Sequence, residues 1–223
     1  MSSIHRFAHR HDAGRQLGER LSELRVQHPV VLGLARGGVP VAFEVARALN
    51  SPLDVLVVRK LGVPFHTELA LGAIGEDDTE VLNAELIERL GISTKQVAAV
   101  IERERAELAR RVDLYRRDRT PLELAGRTAI IVDDGLATGA TAHVAVNVAR
   151  ARGAKNVIVA VAVSPPETIA ELERLDVEVI SLLVPSEFRA VGEWYDDFTQ
   201  TSDEDVTSLL RQSTIREPGR DTD

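Results

Sequence analysis

The stretch from Ile130 to Thr141, Ile-Ile-Val-Asp-Asp-Gly-Leu-Ala-Thr-Gly-Ala-Thr, constrains this 223-residue chain more than any other. Thr128 to Val132 is an apolar, β-branched run that suits a buried strand, and it stops at two adjacent carboxylates, Asp133 and Asp134. Gly135, Thr138, Gly139 and Thr141 follow, and then a helical pattern over 142–152. A strand, a tight loop and a helix N-terminus bring unpaired backbone N–H groups and a positive dipole end to one point, which favours an anion, most often a phosphate. Carboxylates beside such a cradle repel the ligand unless it also offers hydroxyls or a metal to share. A ribose 5-phosphate meets the demand, with its phosphate for the loop and its 2′- and 3′-hydroxyls for the acids. A solvated acidic turn with a helix cap explains these residues singly, but not the whole dozen. A P-loop is excluded, because no Gly-x-x-x-x-Gly-Lys-Ser/Thr occurs in the chain.

Apolar runs over 30–34, 53–58, 128–132, 156–163 and 177–184 alternate with helical patterns, among them 12–25, 41–49, 142–152 and 168–175. The repeated βαβ order predicts an α/β fold with a doubly wound parallel sheet and right-handed crossovers. Ligands then bind beyond the C-terminal strand ends, where Arg36, Arg59 and Asp133 are expected. Shorter strands are predicted at 71–74 and 80–82, around an acidic turn at 75–79. A short helix over 84–90 precedes a long one that Ser93 caps and that runs to about Arg119 before Pro121. The closely mixed charges of that long helix read as a solvated face. After the first strand, Arg36-Gly37-Gly38 combines a charge-assisted phosphate donor with two residues that permit close backbone approach; the bland alternative is a tight turn. The spacing from Gly33 is not Gly-x-Gly-x-x-Gly, so the dinucleotide fingerprint is missing. Arg59 and Lys60 are expected to add to the anion site, or else to be a solvated strand terminus. His5 and His9 are spaced to share a metal, but with His11 they read better as a frayed polar terminus.

The Ile130–Thr141 stretch resembles the phosphoribosyl pyrophosphate (PRPP) motif of the type I phosphoribosyltransferase family: four hydrophobic residues, two acids, then Thr-Gly-x-Thr. The resemblance covers about 30–184. It implies a Mg²⁺-dependent transfer of the 5-phosphoribosyl group from PRPP to a nucleobase-like nitrogen acceptor, with release of pyrophosphate. On it, Asp133 and Asp134 hold the ribose hydroxyls and steady a cationic sugar, and they can also contact a Mg²⁺ that rides mainly on ligand oxygens. Ala137, Thr138, Gly139, Ala140 and Thr141 cradle the 5′-phosphate. Arg36, Gly37 and Gly38, with Arg59 and Lys60, take the pyrophosphate, and Arg36 counts with the two acids as catalytic. Purine-salvage members commonly carry an acid where this chain has Ala137, which puts transfer to a 6-oxopurine in doubt. A non-catalytic PRPP or nucleotide regulator is the alternative, and a sugar-phosphate hydrolase a weaker third reading.

The family also implies a mobile catalytic loop, a homodimer and a role in nucleotide metabolism. It implies a small hood over the base as well, and the segment after the last strand is the candidate. Residues 185–211 are therefore expected as a C-terminal hood on a 1–184 core, with Phe188 and Trp194 over the base, Tyr195 packing the hood, and a disordered tail over 212–223. The bland reading of that aromatic cluster is a pin for the C-terminal segment. A net charge of −8 argues against a general grip on nucleic acid, and the absence of cysteine excludes disulfides, a thiol nucleophile and Cys-ligated zinc. No run approaches a membrane span, and a cytoplasmic protein is expected.

Overall fold

The five apolar runs become one parallel sheet in the computed structural model, which describes residues 6–64, 66–76, 79–117 and 119–214. Its order is β2 (Leu53–Leu56), β1 (Pro29–Leu34), β6 (Thr128–Asp133), β7 (Asn156–Val163), β8 (Glu178–Leu183), and every neighbouring pair is parallel. Alternate residues of each strand serve two cores, as the twofold side-chain period of a strand requires. Val31, Ile130 and Val132 pack with α1 (Arg10–Ser22) and α2 (Gly38–Ala48), whereas Val30, Leu32 and Ile131 pack with α5 (Ala140–Ala151) and with Leu172 of α6 (Pro166–Glu173). The chain winds outward from β1 to β2 in one direction and from β6 through β7 to β8 in the other. The loops after β1 and β6 therefore diverge to opposite faces and leave a crevice between them, at the switch point where open α/β sheets bind ligands.

Between β2 and β6 the structure corrects the expected strand over 53–58. The parallel strand ends at Leu56; the Val57 N–H donates to Glu76 Oε1 at 2.9 Å, and the chain leaves the main sheet. Arg59 and Lys60 consequently lie inside β3 (Val58–Val63), in an antiparallel sheet with β4 (His66–Gly75) and β5 (Glu80–Leu82). The two short predicted strands are thus β5 and part of a longer β4. Helix α3 (Ala84–Arg89) and helix α4 (Thr94–Arg116) follow, the latter started by a reciprocal Ser93–Gln96 capping box.

The segment expected as a hood is tied into the core. A 3-10 turn, Val191–Trp194, leads to Tyr195, which bridges to Phe7; the Phe7 N–H donates to the Trp194 carbonyl and the Asp196 N–H to the Phe7 carbonyl, both at 2.9 Å. From Phe7 onward the N-terminus is therefore paired rather than frayed, while His5 lies outside the described residues. Helix α7 (Asp203–Thr214) buries Val206 and Leu210 completely or nearly so among residues of α1, α2 and α4. Residues 212–214 of the expected tail form the last turn of that helix, and 215–223 lie outside the described residues. Among the described residues no helix is long and apolar enough to cross a membrane.

Candidate active site

The loops after β1 and β6 meet through glycines. Gly37 lies so close to the Asp134 carboxylate that an added Cβ would collide with it, and a Cβ on Gly38 would strike the Val132 carbonyl. Both positions are thus restricted to glycine by contact with the acid pair and its strand, which brings Arg36 to the side of Asp133 and Asp134. The Ala35–Arg36 peptide is cis.

Asp133 ends β6 with Oδ1 accepting the Asp134 N–H at 2.9 Å. Asp134 is buried, and three elements hold it. Its Oδ2 accepts from Arg10 Nε at 2.8 Å, its carbonyl accepts from the Tyr195 hydroxyl at 2.6 Å, and Gly37 covers it. Arg10 is itself oriented by Nη1 donating to the Thr199 carbonyl at 2.7 Å and by lying 3.9 Å from the centre of the Phe198 ring. Burial, and next the charge of Asp134, push Asp133 well above the ordinary carboxylate range. Burial raises Asp134 as well, with the Arg10 guanidinium pulling the other way.

The phosphate-loop residues follow as an exposed turn. Ala137 and Thr138 face solvent, Gly139 is in the left-handed region at φ 68°, and α5 begins with no side-chain cap on its first N–H groups. Ala140 and Thr141 open that helix, which leaves its first amides and its positive dipole end without a side-chain cap. The loop is fixed from behind, where the Thr168 hydroxyl donates to the Ala137 carbonyl at 2.6 Å and the Leu136 N–H to the Val163 carbonyl at 2.9 Å. On its other flank opens a cavity of about 650 Å³, walled by Thr138, Gly139, His143, Val81, Leu86 and Leu172. Burial lowers the pKa of His143 there.

The remaining expected site residues are placed differently. Arg59, on β3, donates from Nη2 and Nε to Glu104 of α4 at 2.6 and 3.1 Å. Lys60 is exposed on the same strand. Both cations follow the end of β2 at Leu56. Phe188 is half-buried beyond β8, and Trp194 packs on the Phe7–Tyr195 cluster with its indole N–H buried and unbonded among the described residues. His9 caps α1 and His11 Nδ1 lies 3.0 Å from Glu44. Among the described residues no three His, Asp or Glu side chains converge on a point. The acid pair offers hard oxygen donors alone, which fits an ion such as Mg²⁺ that draws most of its ligands from substrate oxygens and water. Arg10, bonded to Asp134, and Asp203, 3.8 Å from Arg36, adjoin the expected site residues without being expected there themselves. Separations of 124 and 167 positions in the chain left no local signal for either.

A family model described as phosphoribosyl transferase domain matches residues 4–197. Proteins of Mycobacterium tuberculosis strains CDC 1551 and H37Rv, provisionally named phosphoribosyl transferases, are 52% identical over 204 residues, 92% of this chain. The match takes in 46% of those proteins, so the chain spans about half the length of the curated relatives. The crystal structure of TT1426 from Thermus thermophilus superposes with a TM-score of 0.79 at 43% identity, over 93% of this chain and 98% of that one. AQ2163 from Aquifex aeolicus, at 16% identity and a TM-score of 0.50 over 82% of this chain and 78% of its own, shares the fold alone.

Proposed function

The chain belongs to the phosphoribosyl transferase domain family, and on that premise we propose that it is a Mg²⁺-dependent enzyme transferring 5-phosphoribosyl from PRPP to a nucleobase-like acceptor. One observation carries this reading: the Arg36-Gly37-Gly38 loop packs against the acid pair at the topological switch point of the sheet, and the uncapped start of α5 follows that pair in the chain. The substrate has three chemically distinct parts, and each finds a complement there. The 5′-phosphate takes the amides of 138–141, the ribose hydroxyls take Asp133 and Asp134, and the pyrophosphate takes Arg36 with the backbone of the two glycines.

Cleavage of the bond from ribose C1 to pyrophosphate builds positive charge on the sugar and negative charge on the leaving group. Groups fixed in advance against both charges lower the barrier, because no solvent has to reorganise during the reaction. Asp133 and Asp134 act on the sugar, and Arg36 on the leaving oxygen atoms. Mg²⁺ supplies, when bound, further neutralisation of the pyrophosphate, and Asp133 and Asp134 are the side chains that would hold it. Ala137 provides no acid beside the acceptor, so an acceptor that needs a proton from this position is disfavoured. Family membership also supports a cytoplasmic homodimer in nucleotide metabolism, and light scattering would measure its mass.

The test is incubation with PRPP, Mg²⁺ and a panel of bases, following pyrophosphate and nucleotide together. Both products with one base establish the transferase. Pyrophosphate without loss of base means hydrolysis, and PRPP binding without turnover means a regulator.

A further inference from the structure

The crevice cation Arg36 is paired with an acid that is better bonded elsewhere. Arg36 Nη1 stands 3.8 Å from Asp203 Oδ1 at the start of α7, too long for a hydrogen bond. Both oxygens of Asp203 meanwhile accept from α4: the Tyr115 hydroxyl donates to Oδ1 at 2.5 Å and Arg110 Nη2 to Oδ2 at 3.3 Å. Against the upward push of burial, the Tyr115 and Arg110 bonds and the nearby Arg36 charge hold Asp203 below the usual carboxylate range, so it is an anion at neutral pH. Tyr115 is 2% exposed and anchored in the core, which fixes the carboxylate rather than letting it swing onto Arg36.

We propose that Asp203 is a positioning residue and counter-ion for Arg36: it parks the guanidinium beside the Gly37-Gly38 loop without bonding it, and thereby sets how tightly pyrophosphate is held. This rests on the reading of that loop as the pyrophosphate site. Phosphate oxygens offer Arg36 paired charge-assisted bonds that a carboxylate at this distance does not, so the ligand wins the guanidinium. The carboxylate remains nearby, opposes the bound anion and favours its release. Tyr115 sets the balance from behind, because without its hydroxyl Oδ1 is free to close on Arg36.

The two ends of the relay give opposite signs. Calorimetric titration of the full chain with inorganic pyrophosphate and Mg²⁺ should show about five- to tenfold tighter binding in Asp203→Asn, where the amide still accepts from Tyr115 but the opposing charge is gone. Tyr115→Phe should bind several-fold more weakly. The gain from Asp203→Asn should vanish in an Arg36→Gln background, which locates the coupling at Arg36. Unchanged affinity in Asp203→Asn, or shifts of the same sign in both variants alongside lowered melting temperatures, would overturn the proposal and leave a structural ion pair. A native chain that binds PRPP but no pyrophosphate would overturn it too and leave the PRPP reading standing; a chain that binds neither removes that reading as well.

Discussion

Gly139 shows what one residue contributes to the phosphate loop. Its φ of 68° starts α5 in a conformation that costs an L side chain about 1 kcal/mol, and a Cβ would sit 3.0 Å from Thr168 Cγ2, the residue that pins the loop. Gly139→Ala should therefore weaken PRPP binding about tenfold and lower the melting temperature by only about 2 to 4 °C, and calorimetry showing native affinity would remove the cradle assignment. Asp133 presents the reverse case, a residue whose role opposes stability. A carboxyl raised in the folded state binds its proton more tightly there than when unfolded, so ionising it costs stability from the unfolded carboxylate value upward. Asp133→Asn keeps the acceptor for the Asp134 N–H and removes that cost. It should melt above the native chain at pH 7, with an advantage that fades toward about pH 4, while turnover falls roughly a hundredfold. A lower melting temperature at pH 7 would contradict the burial argument.

At the scale of elements, the start of α1 is held to the acid pair by one side chain. Arg10 spans Asp134, the Thr199 carbonyl and the Phe198 ring, so it joins α1, the end of β6 and the strap before α7. Its side chain is 10% exposed and that of Asp134 13%, which places the pair where removal of one partner is expensive, about 3 kcal/mol. Arg10→Met should lower the melting temperature by about 10 °C, and adding Asp134→Asn should recover most of the loss, since no buried charge is then left alone. Strictly additive losses in scanning calorimetry would exclude the pairing. The two aromatics expected over a base have different surroundings. Trp194 packs on Phe7 and Tyr195, whereas Phe188 is a half-buried residue in the turn beyond β8. If the base stacks on Phe188, worth about 1 to 3 kcal/mol, then Phe188→Ala raises the Michaelis constant for the acceptor and leaves PRPP affinity intact; Trp194→Ala lowers the melting temperature instead. Early melting of Phe188→Ala with no acceptor defect would assign Phe188 to packing alone.

Across the whole molecule, the two sheets and α4 are joined at a buried charge cluster. Arg116 Nη1 bonds both oxygens of Asp54 on β2 at 2.6 and 2.7 Å, and Nη2 reaches the Val55 carbonyl at 2.8 Å and Glu76 Oε2 at 3.1 Å. Asp54 is fully buried and Glu76 is 8% exposed, and Glu76 in turn accepts the Val57 N–H at the point where the chain changes sheets. Arg116→Met leaves two buried acids without their cation. The expected cost exceeds about 3 kcal/mol, and the antiparallel sheet should lose amide protection before the parallel one. Hydrogen exchange that slows or quickens equally in both sheets would refute a role specific to the junction.

Much of this was legible in the chain because it is local. The β-branched runs fix which segments are strands, their alternation with helices fixes a parallel sheet, and the switch point follows from that order. The placement of Asp133, Asp134 and 137–141 at a strand end and helix start is likewise written in contiguous residues. What the sequence did not disclose depends on contacts between distant positions. Arg10 reaches Asp134 and Asp203 lies beside Arg36 through the docking of α1 and α7, and Arg59 pairs with Glu104 in the small sheet, past the point where the Val57 amide bonds Glu76. Local periodicity reports which face of a segment is buried, whereas the partner of a buried charge is chosen by tertiary packing, as the pairs Arg10–Asp134, Arg59–Glu104 and Arg36–Asp203 show.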